Sequence, residues 1–128
     1  TAVENVALPL MLTGTERRAA EQTAAMWLAA LGLAGFESRR IGELSGGQAQ
    51  RVAIARAQTT GASVVFADEP TGALDSATSA EVMDALIRST TGRGRSLVVV
   101  THDETVAARC ARVVRLADGS IADEVATR

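Results

Sequence analysis

Apolar residues recur at helical spacing through the first half of the chain and then, from Val64 onward, gather into short unbroken runs. The change of period is the first sign of two textures in one sequence. Residues 1–12 are mostly apolar, with Pro9 interrupting them. Thr13 and Glu16 have capping-box spacing, and the pattern predicts a helix over 15–31. Its apolar stripe reads as Ala19, Thr23, Met26, Trp27, Ala30 and Leu31, with Gly32 as the residue that ends it. Residues 35–43 read as irregular. Ser45 is a good N-cap for a helix reaching residue 57, whose apolar face is Val52, Ala53, Ala57 and Ala49. Val64-Val65-Phe66-Ala67 then reads as a fully buried strand, closed by Asp68-Glu69 and a Pro70-Thr71-Gly72 turn. Ser76 is the expected cap of a helix over 76–88 that buries Val82, Met83, Leu86 and Ile87. Residues 96–101 form a second wholly apolar strand of parallel-sheet type, followed by His102-Asp103 and a short helix over 104–110. Residues 112–116 and 121–125, joined across Asp118-Gly119-Ser120, read as a hairpin.

Strand, helix, strand, helix in the second part indicates an α/β sheet. The all-helical first part reads as a separate lobe, with the boundary near the Ser45 helix. At 128 residues and 47% hydrophobic, the chain can bury a real core. With few aromatics, that core must come from Ala, Val, Leu and Ile, and Trp27 reads as core rather than as a base-stacking platform. A net charge of −2 argues against a nucleic-acid surface driven by bulk charge. The single cysteine, Cys110, excludes an internal disulfide, suits a reducing compartment and reads as a small buried apolar residue. No apolar run is long enough to span a membrane, and no signal peptide is apparent. The chain begins at Thr1 and its first methionine is Met11, so it reads as a piece of a longer protein.

Two segments carry chemistry. Ser45-Gly46-Gly47 at a helix start is suited to anions: glycine admits close approach, and the free N–H groups and helix dipole favour negative charge. The same pattern also serves as a plain turn. Asp68 and Glu69, adjacent at a strand end, point in different directions, so one can face a Mg²⁺ ion and the other a water. They also suit a solvated acidic turn. His102 ends the neighbouring strand and is placed to hydrogen-bond a terminal phosphate. Arg39-Arg40 reads as a solvated charge cluster.

The stretch Leu44-Ser45-Gly46-Gly47-Gln48-Ala49-Gln50-Arg51-Val52-Ala53-Ile54-Ala55-Arg56-Ala57 resembles the signature motif and following helix of ATP-binding cassette (ABC) ATPases. Residues 64–69 resemble their Walker B strand with its catalytic glutamate, Ala73-Leu74-Asp75 the D-loop, and His102 the switch histidine. The motifs stand in family order across nearly the whole chain. Glu4-Asn5-Val6-Ala7-Leu8-Pro9-Leu10 and Pro70-Thr71-Gly72 are similar to the branch serving macrolide export and lipoprotein release. The resemblance implies a P-loop NTPase (RecA-like) α/β core, later half, with the ABC α-helical subdomain over 1–50 and the core over 51–128. It implies two ATP sites shared across a dimer. Ser45, Gly46, Gly47 and Gln48 would contact the γ-phosphate bound by the partner. Asp68 would help hold Mg²⁺ through water, Glu69 would polarise the attacking water, and His102 would hold the γ-phosphate. Asp75 would couple the two sites. The implied partners are a second ATPase subunit and a transmembrane permease, with no nucleic acid. The implied place is the cytoplasmic, inner face of the cell membrane.

The departures matter as well. No G-x-x-x-x-G-K-[ST] occurs and there is no lysine to serve one, so the chain alone is expected not to hydrolyse ATP. Ala49, Ala62 and Ala111 replace residues usual in the family, and Ala111 leaves Arg112 without its expected neighbour. Two other readings stay open: a non-transport ABC ATPase of DNA repair or chromosome structure, and a non-catalytic interaction fragment. The short helical lobe and Gln48 argue against the first.

Overall fold

The computed structural model describes residues 1–126; the last two residues of the expected second unit, 51–128, lie outside the described residues. Helix α1 (Ala2–Leu12) opens with a full capping box between Thr1 and Glu4 and runs through Pro9 without breaking. An internal proline costs about 3 kcal/mol. Burial of Ala2, Val6 and Ala7 against the neighbouring helices offsets it, and the amide and hydroxyl of Thr13 bond the carbonyls of Pro9 and Leu10 at the end of the helix.

Helix α2 (Arg17–Ala30) starts at Glu16, whose carboxylate accepts from the Ala19 amide, and not at the Thr13 box. Its buried stripe is Ala20, Ala24 and Leu28, continuing to Leu31. That is one position off the predicted stripe, and Met26 is 67% exposed. In a helix this rich in alanine, hydrophobicity is nearly uniform around the axis. The side that packs is the one where alanines four apart let other helices approach. Gly32, at φ +77°, turns the chain as expected. A single turn of 3₁₀ helix, Ile41–Glu43, lies in the stretch read as irregular.

Helix α3 (Gly46–Thr59) packs on α1 and α2 with one side and on α4 (Ser76–Thr90) with another. It therefore buries Val52, Ile54, Ala55, Gln58 and Thr59, a wider face than the predicted one, where Ala49, Ala53 and Ala57 are only half-buried. Gln58 Nε2 donates to Ser89 Oγ at 3.2 Å and Thr90 Oγ1 at 2.9 Å, pinning α3 to α4. One buried cluster runs through α1 to α4, with Leu28, Leu33, Met83 and Leu86 among its largest enclosed side chains. In α4, Val82, Met83 and Leu86 are buried as predicted, and Ile87 is half-buried.

Strands β1 (Val64–Asp68) and β2 (Ser96–Val100) pair in parallel, Val64 opposite Ser96 and Asp68 opposite Val100. Val65 is buried, and Ala67, Leu97 and Val99 pack against the helical cluster. The opposite face is open: Phe66 is 76% exposed, and Val64, Val98 and Val100 are exposed with it. Full burial, expected from the apolar runs, is thus corrected to burial of alternate residues, because the helices cover one face of this sheet. The short helix α5 (Glu104–Ala107) ends before residue 110, and Cys110 beyond it is half-buried. Strands β3 (Arg112–Ala117) and β4 (Ser120–Ala126) form the hairpin, turning at Asp118 and Gly119, both at positive φ. Arg112 has a neighbour after all: its Nε lies 2.8 Å from Glu124 Oε1 across the hairpin.

Candidate functional site

The sheet delivers its carboxyl-end residues to one edge. Glu69 follows the last residue of β1, and its amide still donates to Val100 O at 2.8 Å. Its φ of +43° lies in the left-handed region, which costs a residue with a Cβ about 1–2 kcal/mol. The turn is held by the Gly72 amide on Glu69 O. There the carboxylate meets the end of β2. Glu69 Oε1 lies 2.7 Å from His102 Nδ1 and accepts from the His102 amide at 3.1 Å, while Thr101 Oγ1 donates to Oε2 at 3.3 Å. Asp68, one residue earlier, points to a different cavity, bordered by Pro9, Gln50 and Pro70. It forms no hydrogen bond or ion pair among the described residues.

Hydrogen bonding to His102 holds the Glu69 carboxyl below its ordinary range, and the Glu69 carboxylate raises the imidazole pKa. The ring stays 85% exposed. With Nδ1 turned to Glu69, Nε2 is the nitrogen left to meet a ligand, and in the imidazolium form it is a donor. The pair borders a cavity of about 390 Å³ with Thr71, Leu74, Asp103 and Arg109. Thr101 and Arg109 escaped the sequence reading. Thr101 reads as the last residue of an apolar strand, and nothing local marks Arg109, which pairs with Asp84 and donates to Ala80 O.

The Ser45 segment forms a different site. Ser45 Oγ accepts from the Gln48 amide at 3.2 Å, and Gln48 Oε1 accepts from the Ser45 amide at 2.9 Å, a complete capping box. Gln48 is thus engaged in the cap as well as standing in the motif. The Ser45 hydroxyl keeps its hydrogen to donate, and Gly46 and Gly47 are the first two helical residues, whose amides have no carbonyl within the helix. A Cβ at Gly46 would lie 3.0 Å from Leu74 Cδ2, and one at Gly47 would collide with Thr78 Cγ2. Packing against Thr78 of α4 therefore demands glycine at position 47, beyond any demand of a ligand. None of residues 45–48 borders the Glu69–His102 cavity.

Asp75, expected to couple two sites, caps α4: its carboxylate accepts from the amides of Ala77 and Thr78 and from Thr78 Oγ1, at 2.7–3.1 Å. Those bonds lower its pKa. Ser76, the expected cap, is instead the first residue of the helix.

Three comparisons bear on this arrangement. A family profile described as "ABC transporter" matches residues 1–72. The lipoprotein-releasing system ATP-binding protein LolD of Novosphingobium aromaticivorans is 48% identical over 118 residues, covering 92% of this chain and 53% of that protein. The macrolide export ATP-binding/permease protein MacB of Chromobacterium violaceum is 46% identical over 121 residues, covering 94% of this chain and 19% of that protein. The chain thus spans about half the length of the first of these relatives and about a fifth of the second. A bacterial ABC transporter cassette solved as a dimer superposes with a TM-score of 0.85 at 39% identity, covering all of this chain and 57% of that one. The same cassette has been solved as a dimer bound to ADP and Pi, with the same score. The profile, the relatives and the solved cassettes agree with one another and with the fold: the chain belongs to the ABC transporter family, within its ATP-binding cassette.

Proposed function

We propose that this chain supplies the later half of a cassette that binds and hydrolyses ATP in a two-subunit assembly and drives a membrane permease. The observation that carries this is the separation of two phosphate-directed features. Glu69 and His102 share one cavity, and the open helix start at Ser45 lies outside it. A single subunit would then use only one of the two on a given nucleotide and offer the other to its partner. In this reading Glu69 orients the attacking water, and His102 Nε2 holds the γ-phosphate. Ser45, Gly46, Gly47 and Gln48 meet the γ-phosphate on the partner, and Asp75 links the sites through the α4 start it caps. This is catalysis by positioning and charge.

Asp68 is exposed and unpartnered, which suits a Mg²⁺ ion bound through water. Among the described residues no group of three ligating side chains could hold a metal by itself, so the ion would depend on phosphate oxygens and water. Bound there, Mg²⁺ would neutralise phosphate charge. Residues 1–50 act as the helical subdomain and 51–128 as the core, meeting inside α3. No described helix is long and apolar enough to cross a membrane, and the proposed place is the inner face of the cell membrane, against the permease. Without a P-loop motif the chain by itself turns over no ATP.

Mixing subunits of the whole natural protein tests this. Ser45→Arg and a P-loop-dead variant should each be inactive, while the isolated Ser45→Arg subunit keeps its ATP affinity. Together they should recover hydrolysis, since one of the two shared sites then carries neither defect. Loss of ATP affinity in the isolated Ser45→Arg subunit would place Ser45 in its own subunit's pocket and overturn the two-site reading.

A further inference from the structure

Five arginines among the described residues pair with a carboxylate, and of the seven that do not, three gather at one place. Arg17, Arg51, Arg109, Arg112 and Arg115 all form ion pairs with carboxylates. Arg88, Arg93 and Arg95 form none among the described residues, and they converge on Trp27. The Arg93 guanidinium carbon stands 4.5 Å from the centroid of the Trp27 ring, and that of Arg95 stands 5.8 Å away. Trp27, Leu31, Ala85, Ser89, Arg88 and Arg93 border a small cleft of about 110 Å³ where the end of α2 meets the end of α4. No carboxylate lines it. Arg95 donates through Nη2 to Ser89 O at 3.3 Å, while its Nη1 is closed off from solvent with no hydrogen-bond partner.

Other causes account for part of this. Arg88 sits in the last turn of α4, where a cation complements the helix dipole. A ring face attracts a guanidinium. Neither supplies negative charge to the three cations, two of which, Arg88 and Arg93, border the cleft itself. The chain as a whole is acidic, at net −2, so this cluster is opposite in sign to the net charge of the chain. A carboxylate would neutralise one guanidinium. A phosphate group carries up to two charges and three acceptor oxygens, and guanidinium forks match it in pairs. A water takes about 30 Å³, so the cleft has room for a few waters or one such group.

We propose that the cleft between Trp27, Arg88 and Arg93, with Arg95 beside the ring, is a phosphate-binding site separate from the nucleotide site. It shares no lining residue with the Glu69–His102 cavity. The phosphate belongs to a free small anion or to a lipid headgroup.

The indole N–H resonance of Trp27 in the whole natural protein, assigned by its loss in Trp27→Phe, reads the site directly. Inorganic phosphate should move it saturably. Acetate and chloride at matched ionic strength should not. Arg93→Gln and Arg88→Gln should each weaken the phosphate affinity roughly tenfold, as loss of a charged hydrogen bond does. Arg18→Gln, an exposed arginine on the first turn of α2, should leave it unchanged. Co-sedimentation with phosphatidylglycerol-containing vesicles but not with phosphatidylcholine vesicles, lost in Arg93→Gln, would assign the phosphate to a lipid. Saturable phosphate binding without vesicle binding would assign it to a free anion. No saturable shift, an equal response to acetate, or unchanged affinity in both arginine variants would overturn the proposal.

Discussion

The helix starts of α3 and α4 touch each other and are built for opposite purposes. Both are fully capped. Ser45 caps α3 with a neutral hydroxyl that accepts one amide and retains its hydrogen, and two glycines follow it. Asp75 caps α4 with a carboxylate that takes two amides and a hydroxyl. The dipole at α4 is therefore already met by a charge of the chain's own, and the dipole at α3 meets none from its cap or first turn. A helix N-terminus is an anion site only where the cap brings no anion with it. The contact between Gly47 and Thr78 ties the two together, so the open terminus is held in place by the closed one.

The comparison is broken most directly by making α3 resemble α4. Ser45→Asp keeps a good cap, so the folded protein should be about as stable as wild type. It puts a carboxylate where the γ-phosphate is proposed to sit. ATP hydrolysis by the whole protein should fall by about 10² or more, in line with the loss of a donor aimed at developing charge. Unfolding midpoints alongside steady-state ATPase rates would show the split; a stable, fully active variant would remove α3 from the chemistry.

Packing gives the next effect in size. Gly47→Ala drives a Cβ into Thr78 Cγ2. The expected destabilisation is about 1–3 kcal/mol, the range of core overpacking. Thr78→Ser deletes that methyl while retaining the hydroxyl bonded to Asp75, so the double variant should recover most of the loss in urea unfolding. Failure of the serine to rescue would mean the glycine is required by something other than Thr78.

A smaller effect comes from removing the charge that closes α4. Asp75→Ala should lower the unfolding midpoint at neutral pH by less than Gly47→Ala does. The contribution has a sign. The Asp75 pKa is depressed in the folded protein, so its stabilisation is complete above the ordinary aspartate value near 3.9 and disappears as pH falls through the lower, folded value. The difference between wild type and Asp75→Ala in thermal melts should accordingly shrink only in acid.

The smallest effect sharpens the contrast between two carboxylates that the chain satisfies itself. Amides and a hydroxyl hold Asp75, and none of them titrates in this range. Glu69 is held by a ring that does. The His102 pKa is raised by Glu69, so the imidazole part of the pairing is fully present below the ordinary histidine value near 6.5 and is lost as pH rises through the higher folded value. Glu69's own part is present above about 4.3 and is lost as pH falls through its depressed value. The ring-proton NMR titration of His102 should show a midpoint above 6.5 that returns towards it in Glu69→Gln. An unchanged midpoint would mean that the pair is not coupled.

Much of this was legible in the residues. The two apolar runs, each closed by chemistry-bearing side chains, placed Glu69 and His102 at one sheet edge before any coordinates, because parallel strands necessarily bring their carboxyl ends together. Ser45 followed by two glycines declared a capped, open helix start. The Asp118-Gly119 turn declared the hairpin. These features are local, or follow from the period of the pattern, and local chemistry suffices to specify them.

What tertiary contact alone decided is of another kind. Which side of the alanine-rich α2 is buried depended on where α1 and α3 approach, since its own sequence barely distinguishes its faces. Whether Pro9 ends a helix depended on the packing gained by continuing it. Whether Asp75 or Ser76 caps α4 depended on where the chain turns after Glu69, a turn requiring a backbone conformation that glutamate seldom takes. The gathering of Arg88, Arg93 and Arg95 around Trp27 joins residues more than 60 positions apart in sequence. Sequence by itself determined which groups stand at the ends of elements, because hydrogen-bond satisfaction and side-chain period are short-range. The tertiary structure decided which ends and faces meet, because that is set by the shape the helices must take to bury one shared core.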